Sequence, residues 1–60
     1  MYKLQNRFQD SGWENLNIEH TLANDAIQEA SELSKNAICY GMVRVIHEEH
    51  GVIATFAAGG

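Results

Sequence analysis

Sixty residues make one domain at most, read here as a single unit over residues 1–60. A chain of this size buries only about 60% of the surface its unfolded form exposes, so its core is small. Eight acids against Lys3, Arg7, Lys35 and Arg44 give a formal charge of −4, which argues against direct binding to nucleic acid, and no apolar run approaches the length of a membrane span.

Residues 2–8, YKLQNRF, alternate. Tyr2, Leu4 and Phe8 share one parity and Lys3, Gln5 and Arg7 the other, the pattern of a half-buried strand. Asn6 interrupts the apolar row and marks a bulge or a strand end. QDSG at 9–12 is turn chemistry, with Asp and Ser able to bond their own backbone and Gly12 free to take a positive φ. WENLNI at 13–18 is a second, weaker strand, because Asn15 and Asn17 disfavour extended structure. Its Trp13 is expected in the core or at its rim.

Thr21 then stands before LANDAIQEASELSKN, placed to cap a helix through its hydroxyl. Ala26, Ile27, Ala30, Leu33 and Ala37 recur at helical spacing, while Asp25, Gln28, Glu29, Glu32 and Lys35 take the other face. Asp25 suits the positive end of the helix dipole, and Asn36 is suited to a left-handed stop. Cys39, the only cysteine, excludes an intrachain disulfide. It reads as a small buried hydrophobe. A lone thiol without a secretory apolar segment points to the cytoplasm.

Gly41 ends the helical run. MVRVIH and GVIATFA follow as two strand-like segments joined through EEHG, a hairpin with Gly51 at the position that needs positive φ. The layout is ββαββ, an α+β fold. It predicts a four-stranded antiparallel sheet of order 2-1-3-4 with one helix on one face; the order 2-1-4-3 would demand a parallel central pair. In the third segment Val43 and Val45 share a parity opposite Met42, Arg44 and Ile46. In the fourth, Val52, Ala54 and Phe56 alternate with Ile53, Thr55 and Ala57. Both faces of this hairpin carry apolar groups, yet one helix covers one face. The other face is open to a partner or to a second copy of the chain. If the helix covers the valines, Arg44 marks that open face.

The chemistry-bearing residues point away from an enzyme. His47 and His50 flank Glu48 and Glu49 in a turn, without the four Cys/His ligands of structural zinc or the HExxH helix of metalloproteases. Adjacent turn carboxylates face water and are not held apart across a pocket, as paired acid–base catalysis requires. No phosphate-binding glycine motif is present. No catalytic residue, metal ligand or cofactor is assigned. The acids Asp25, Glu29 and Glu32 line the outer helix face, a stripe able to occupy a basic groove. Trp13 and Arg44 are the candidate contacts on the sheet side.

The run TLANDAIQEASELSKN…YGMVRVIHEEHGVIATF, preceded by a YKLQ…F strand and a Trp-containing second strand, resembles small phage or prophage proteins, some of the anti-CRISPR type, with the same ββαββ layout. The resemblance implies a non-enzymatic inhibitor that occupies a surface of a larger bacterial protein or nucleoprotein complex. The alternative is a self-associating homodimer.

Overall fold

A computed structural model of the chain describes residues 1–8, 11–36 and 39–59. The order of elements is β1 (Tyr2–Arg7), β2 (Glu14–His20), α1 (Ala23–Ser34), β3 (Met42–His47) and β4 (Gly51–Phe56). The strands form one antiparallel sheet in the order β2-β1-β3-β4. Both hairpins pair consecutive strands, and β1 joins β3 at the centre. The expected α+β, ββαββ architecture is therefore the observed one.

Alternation in β1 and β3 decides what lies under the helix. Leu4 pairs with Val45, and Val45 in turn with Ala54; Asn6 pairs with Val43, and Val43 with Phe56. Paired residues share a face, and Leu4, Val43 and Val45 are fully buried. Against them α1 sets Ala26, Ala30 and Ser34, four residues apart and fully buried. These side chains are short, so the helix backbone approaches the sheet closely. Ile27, Leu33, Leu16, Ile18, Tyr2, Tyr40 and Phe56 fill the margin. The buried Ser34 hydroxyl donates to the Ser31 carbonyl at 2.8 Å, and the Ser34 carbonyl accepts from Gly59 N–H at 2.8 Å. The second bond satisfies one of the carbonyls orphaned at a helix end.

Several local expectations are corrected. Thr21 does not cap the helix: Leu22 is the N-cap residue, with extended φ/ψ and no side-chain cap bond. Asn36 does not take a left-handed stop, since Asn17, φ 59°, is the positive-φ non-glycine among the described residues. Asn17 sits where the β1–β2 register slips between Lys3 and Gln5. The bulge therefore lies in β2, not at Asn6. Asn6 stays in β1 and accepts a hydrogen bond from Gly41 N–H at 2.9 Å. A second slip between Val45 and Ile46 breaks the parity of β4: Val52 pairs with Ile46 on the face opposite Ala54 and Phe56. Cys39 is exposed, not buried. Gln9, Asp10 and Ala37, which carried parts of the turn and helix readings, lie outside the described residues.

Candidate functional site

The face of the sheet away from α1 carries the register-mates of the buried row. Lys3 pairs with Glu19 on one side and Ile46 on the other, and Ile46 with Val52. Gln5 pairs with Asn15 and Arg44, and Arg44 with Thr55. Arg7 pairs with Met42. Because successive side chains in a strand point to opposite faces, these groups form three rows across the uncovered surface.

The middle row is hydrogen-bonded from strand to strand. Arg44 Nε donates to Gln5 Oε1 at 2.8 Å, and Gln5 Nε2 donates to Asn15 Oδ1 at 2.9 Å. The Arg44 guanidinium carbon lies 4.1 Å from the centroid of the Trp13 ring, a cation–π distance. Trp13 follows the turn before β2 and stands two positions before Asn15, on the same strand parity. Its ring therefore reaches the open face and half-buries itself under Arg44 instead of joining the core rim. The arrangement holds a guanidinium flat with one edge engaged by Gln5, leaving its remaining N–H groups to act as a planar donor fork. At the β4 side, Val52 is 51% and Ile53 38% exposed.

Trp13 and Arg44, singled out in the sequence, are thus brought together. Lys3, Gln5, Arg7 and Asn15 join them and were not singled out. The polar parity of the first strand held the signal for Lys3, Gln5 and Arg7. Their convergence on Arg44 needed the β1–β3 register. The bases are also less scattered than their positions in the sequence imply: three of the chain's four, Lys3, Arg7 and Arg44, share this face. Among the described residues none of the three forms an ion pair; the two salt bridges are Met1–Glu48 and His20–Glu29.

The acids of α1 divide. Asp25 and Glu32 are exposed on the outer helix face, as the helical spacing implied. Glu29 is half-buried, its carboxylate 2.5 Å from His20 Nε2 of β2. The stripe available to a partner is therefore Asp25, Gln28 and Glu32, with Glu29 turned inward to the sheet margin.

Of the HEEH segment, His47 ends β3, paired with Tyr2 and Gly51, and only Glu48, Glu49 and His50 form the turn. Glu48–His50 connect β3 to β4, and Gly51 takes φ 75°. Glu49 N–H donates to His47 Nδ1 at 3.1 Å, and the His47 ring stacks on His50 at 4.8 Å and tilts against Tyr2 at 4.7 Å. Glu48 Oε1 accepts from the N-terminal ammonium at 3.1 Å. That hydrogen bond first, and the ammonium charge second, hold its carboxyl below the ordinary value of 4.5. Among the described residues no group of three His, Cys, Asp or Glu side chains is placed to hold a metal ion. A shallow depression of ≈ 90 Å³ lies at the β2 bulge, between Lys3, Asn15, Asn17 and Glu19. That is well under the several hundred Å³ of a usual small-molecule site. Among the described residues no helix is long and apolar enough to cross a membrane.

No protein-family model matches this chain, and neither a curated protein nor a solved structure is similar enough to it to register as a match.

Proposed function

We propose that this chain is a non-enzymatic protein-binding protein of the bacterial cytoplasm, and that it docks on a larger protein or nucleoprotein complex through the open face of its sheet. The observation that carries the reading is the Trp13–Arg44 stack, held by Gln5 and Asn15 at the centre of a face that no element among the described residues covers. Tryptophan and arginine are the side chains that most often anchor protein interfaces, and pre-ordering them lowers the entropy lost on binding. The resemblance to small phage proteins fits a phage-encoded inhibitor of the anti-CRISPR type, acting by occupying a surface of its target. Asp25 and Glu32 on the far side of the molecule offer a second, weaker contact by charge.

The test is capture of bacterial effector complexes by the tagged protein, compared with Trp13→Ala, Arg44→Ala and the double reversal Asp25→Lys with Glu32→Lys. The reading expects a near-stoichiometric complex that is lost in the first two variants. Capture that persists in both would remove the open face from consideration; loss in the helix variant alone would move the contact to α1.

A second reading, a homodimer, draws on the β4 edge. That strand, GVIATF, carries no charge or proline to blunt its unpaired backbone groups, and Val52 and Ile53 are exposed. Association across the open faces themselves is disfavoured, because two copies would bring Lys3, Arg7 and Arg44 against their own kind. Sedimentation equilibrium of wild type and Val52→Lys tests the edge: a wild-type monomer across the accessible concentration range refutes it.

A further inference from the structure

We infer that the partner surface which this open face fits is carboxylate-rich, an acidic segment of a protein and not a nucleic-acid strand. The inference rests on the reading of that face as the contact surface and adds the chemistry of what meets it.

Charge is divided unevenly over the molecule. Of the described acids, Asp25, Glu29 and Glu32 lie on α1, Glu48 and Glu49 in the β3–β4 turn, and Glu14 opposite Asn6 on the helix side of the sheet; on the open face the register places Glu19 alone. Lys3, Arg7 and Arg44 lie on that face and form no ion pair among the described residues; Glu19 is the cross-strand neighbour of Lys3, and no acid stands opposite Arg7 or Arg44. A chain of net charge −4 thus presents a local cationic surface. Lys3 and Arg7 stand four strand residues apart, about 13 Å at the rise of an extended chain. Arg44, on the neighbouring strand opposite Gln5, lies between them. Three cations about one side chain apart match a short run of carboxylates. Arg44 is shaped for one in particular, since its fork geometry accepts a carboxylate through two parallel N–H···O bonds.

The same surface is poorly made for nucleic acid. Sequence-tolerant single-strand binding uses several bare aromatic faces in a continuous basic groove. Here Trp13 is the aromatic residue of the face and Arg44 already lies over its ring. A polyanion continuing past the three cations would meet Glu19 on β2, and the whole molecule repels it. A discrete acidic patch ends where the cations end.

The experiment is an amide-resolved NMR titration of the intact protein with a synthetic glutamate-rich peptide, and separately with an oligothymidylate of similar length. We expect the peptide to move the amides of Lys3, Gln5, Arg7 and Arg44 and the Trp13 indole N–H. Its affinity should fall roughly tenfold or more at high salt and in Lys3→Glu with Arg7→Glu. Lys3→Gln with Arg7→Gln, which introduces no new charge, serves if the reversal unfolds the chain, and should weaken binding in the same direction. Tighter binding of the oligothymidylate at the same residues overturns the choice of partner class. Peptide shifts elsewhere, or none, overturn the acidic partner. If capture of the complex still depends on Trp13 and Arg44 in that case, the open-face reading stands and the inference alone falls; if it depends on neither, the reading falls as well.

Discussion

Replacing Gly41 with alanine should unfasten the centre of the sheet. Gly41 is buried just before β3, where the chain crosses the end of β1. A Cβ at this position would lie 2.1 Å from the Arg7 carbonyl oxygen, 2.9 Å from Phe8 Cα and 3.0 Å from the Arg7 carbonyl carbon. Carbon and carbonyl oxygen normally meet at about 3.3–3.6 Å, so the two backbones must part by more than about 1 Å. No flexible side chain can absorb the movement. Overpacking of this kind costs about 1–3 kcal/mol, and stretching the Gly41 N–H to Asn6 bond adds about 1 kcal/mol. Against a total stability of roughly 3–9 kcal/mol for a chain of this length, a loss of about 2–4 kcal/mol is severe. At about 4–8 °C per kcal/mol in small domains, the thermal midpoint should fall by about 10–30 °C, read by circular dichroism. The Trp13 indole resonance should move too, because the β1–β3 register is what sets Gln5 opposite Arg44. Gly12→Ala is the control: a Cβ there would meet nothing within 4 Å, and the Gly12 φ is not positive, so its midpoint should hold or rise slightly. A Gly41→Ala midpoint within about 3 °C of wild type, on that same scale, would refute the close approach of the two backbones.

Leu22→Ser should stabilise the protein. Leu22 is 61% exposed at an N-cap position with no side-chain bond. A serine hydroxyl there gains about 0.5–2 kcal/mol; a lower melting temperature would contradict the cap assignment. A double-mutant cycle on Trp13→Ala and Arg44→Ala, measured by urea unfolding, should return a coupling of about 0.5–1 kcal/mol. Strict additivity would mean the stack carries no energy. The Glu48 carboxyl should titrate below 4.5 in a pH series followed by NMR, and acetylating the N-terminus should return it towards that value. The sign follows from the lowered folded-state pKa: the contact contributes above the unfolded pKa and is lost as pH falls through the folded one. An unchanged Glu48 titration after acetylation would exclude the ammonium as the cause.

How much of the fold was legible in the sequence varies by element. The alternation of Tyr2 and Leu4 with Lys3, Gln5 and Arg7 determined β1 and its two faces. The recurrence of Ala26, Ile27, Ala30 and Leu33 determined the helix and the side it buries. Gly51 after EEH determined the second hairpin, and the strand order followed because short antiparallel connections leave few alternatives. These are local signals, carried by spacing within a single segment. Thr21 misled because its hydroxyl suits a cap, while the backbone enters the helix one residue later. The parity of β4 misled because an extra residue at Ile53 is invisible to alternation until the partner strand is known. Trp13 misled for a related reason: its size argues for the core, but which face it reaches depends on β2's pairing with β1.

The open face is where sequence stops and tertiary structure begins. Lys3, Arg7, Trp13 and Arg44 are spread over more than half the chain, and no spacing rule relates them. They become one surface only when β1 lies between β2 and β3 in a fixed register, so that Gln5 reaches Asn15 on one side and Arg44 on the other. Composition determined that the chain is acidic. The pairing of strands decided that one of its faces is not, because hydrogen bonding between backbones, indifferent to side-chain charge, sets which side chains become neighbours.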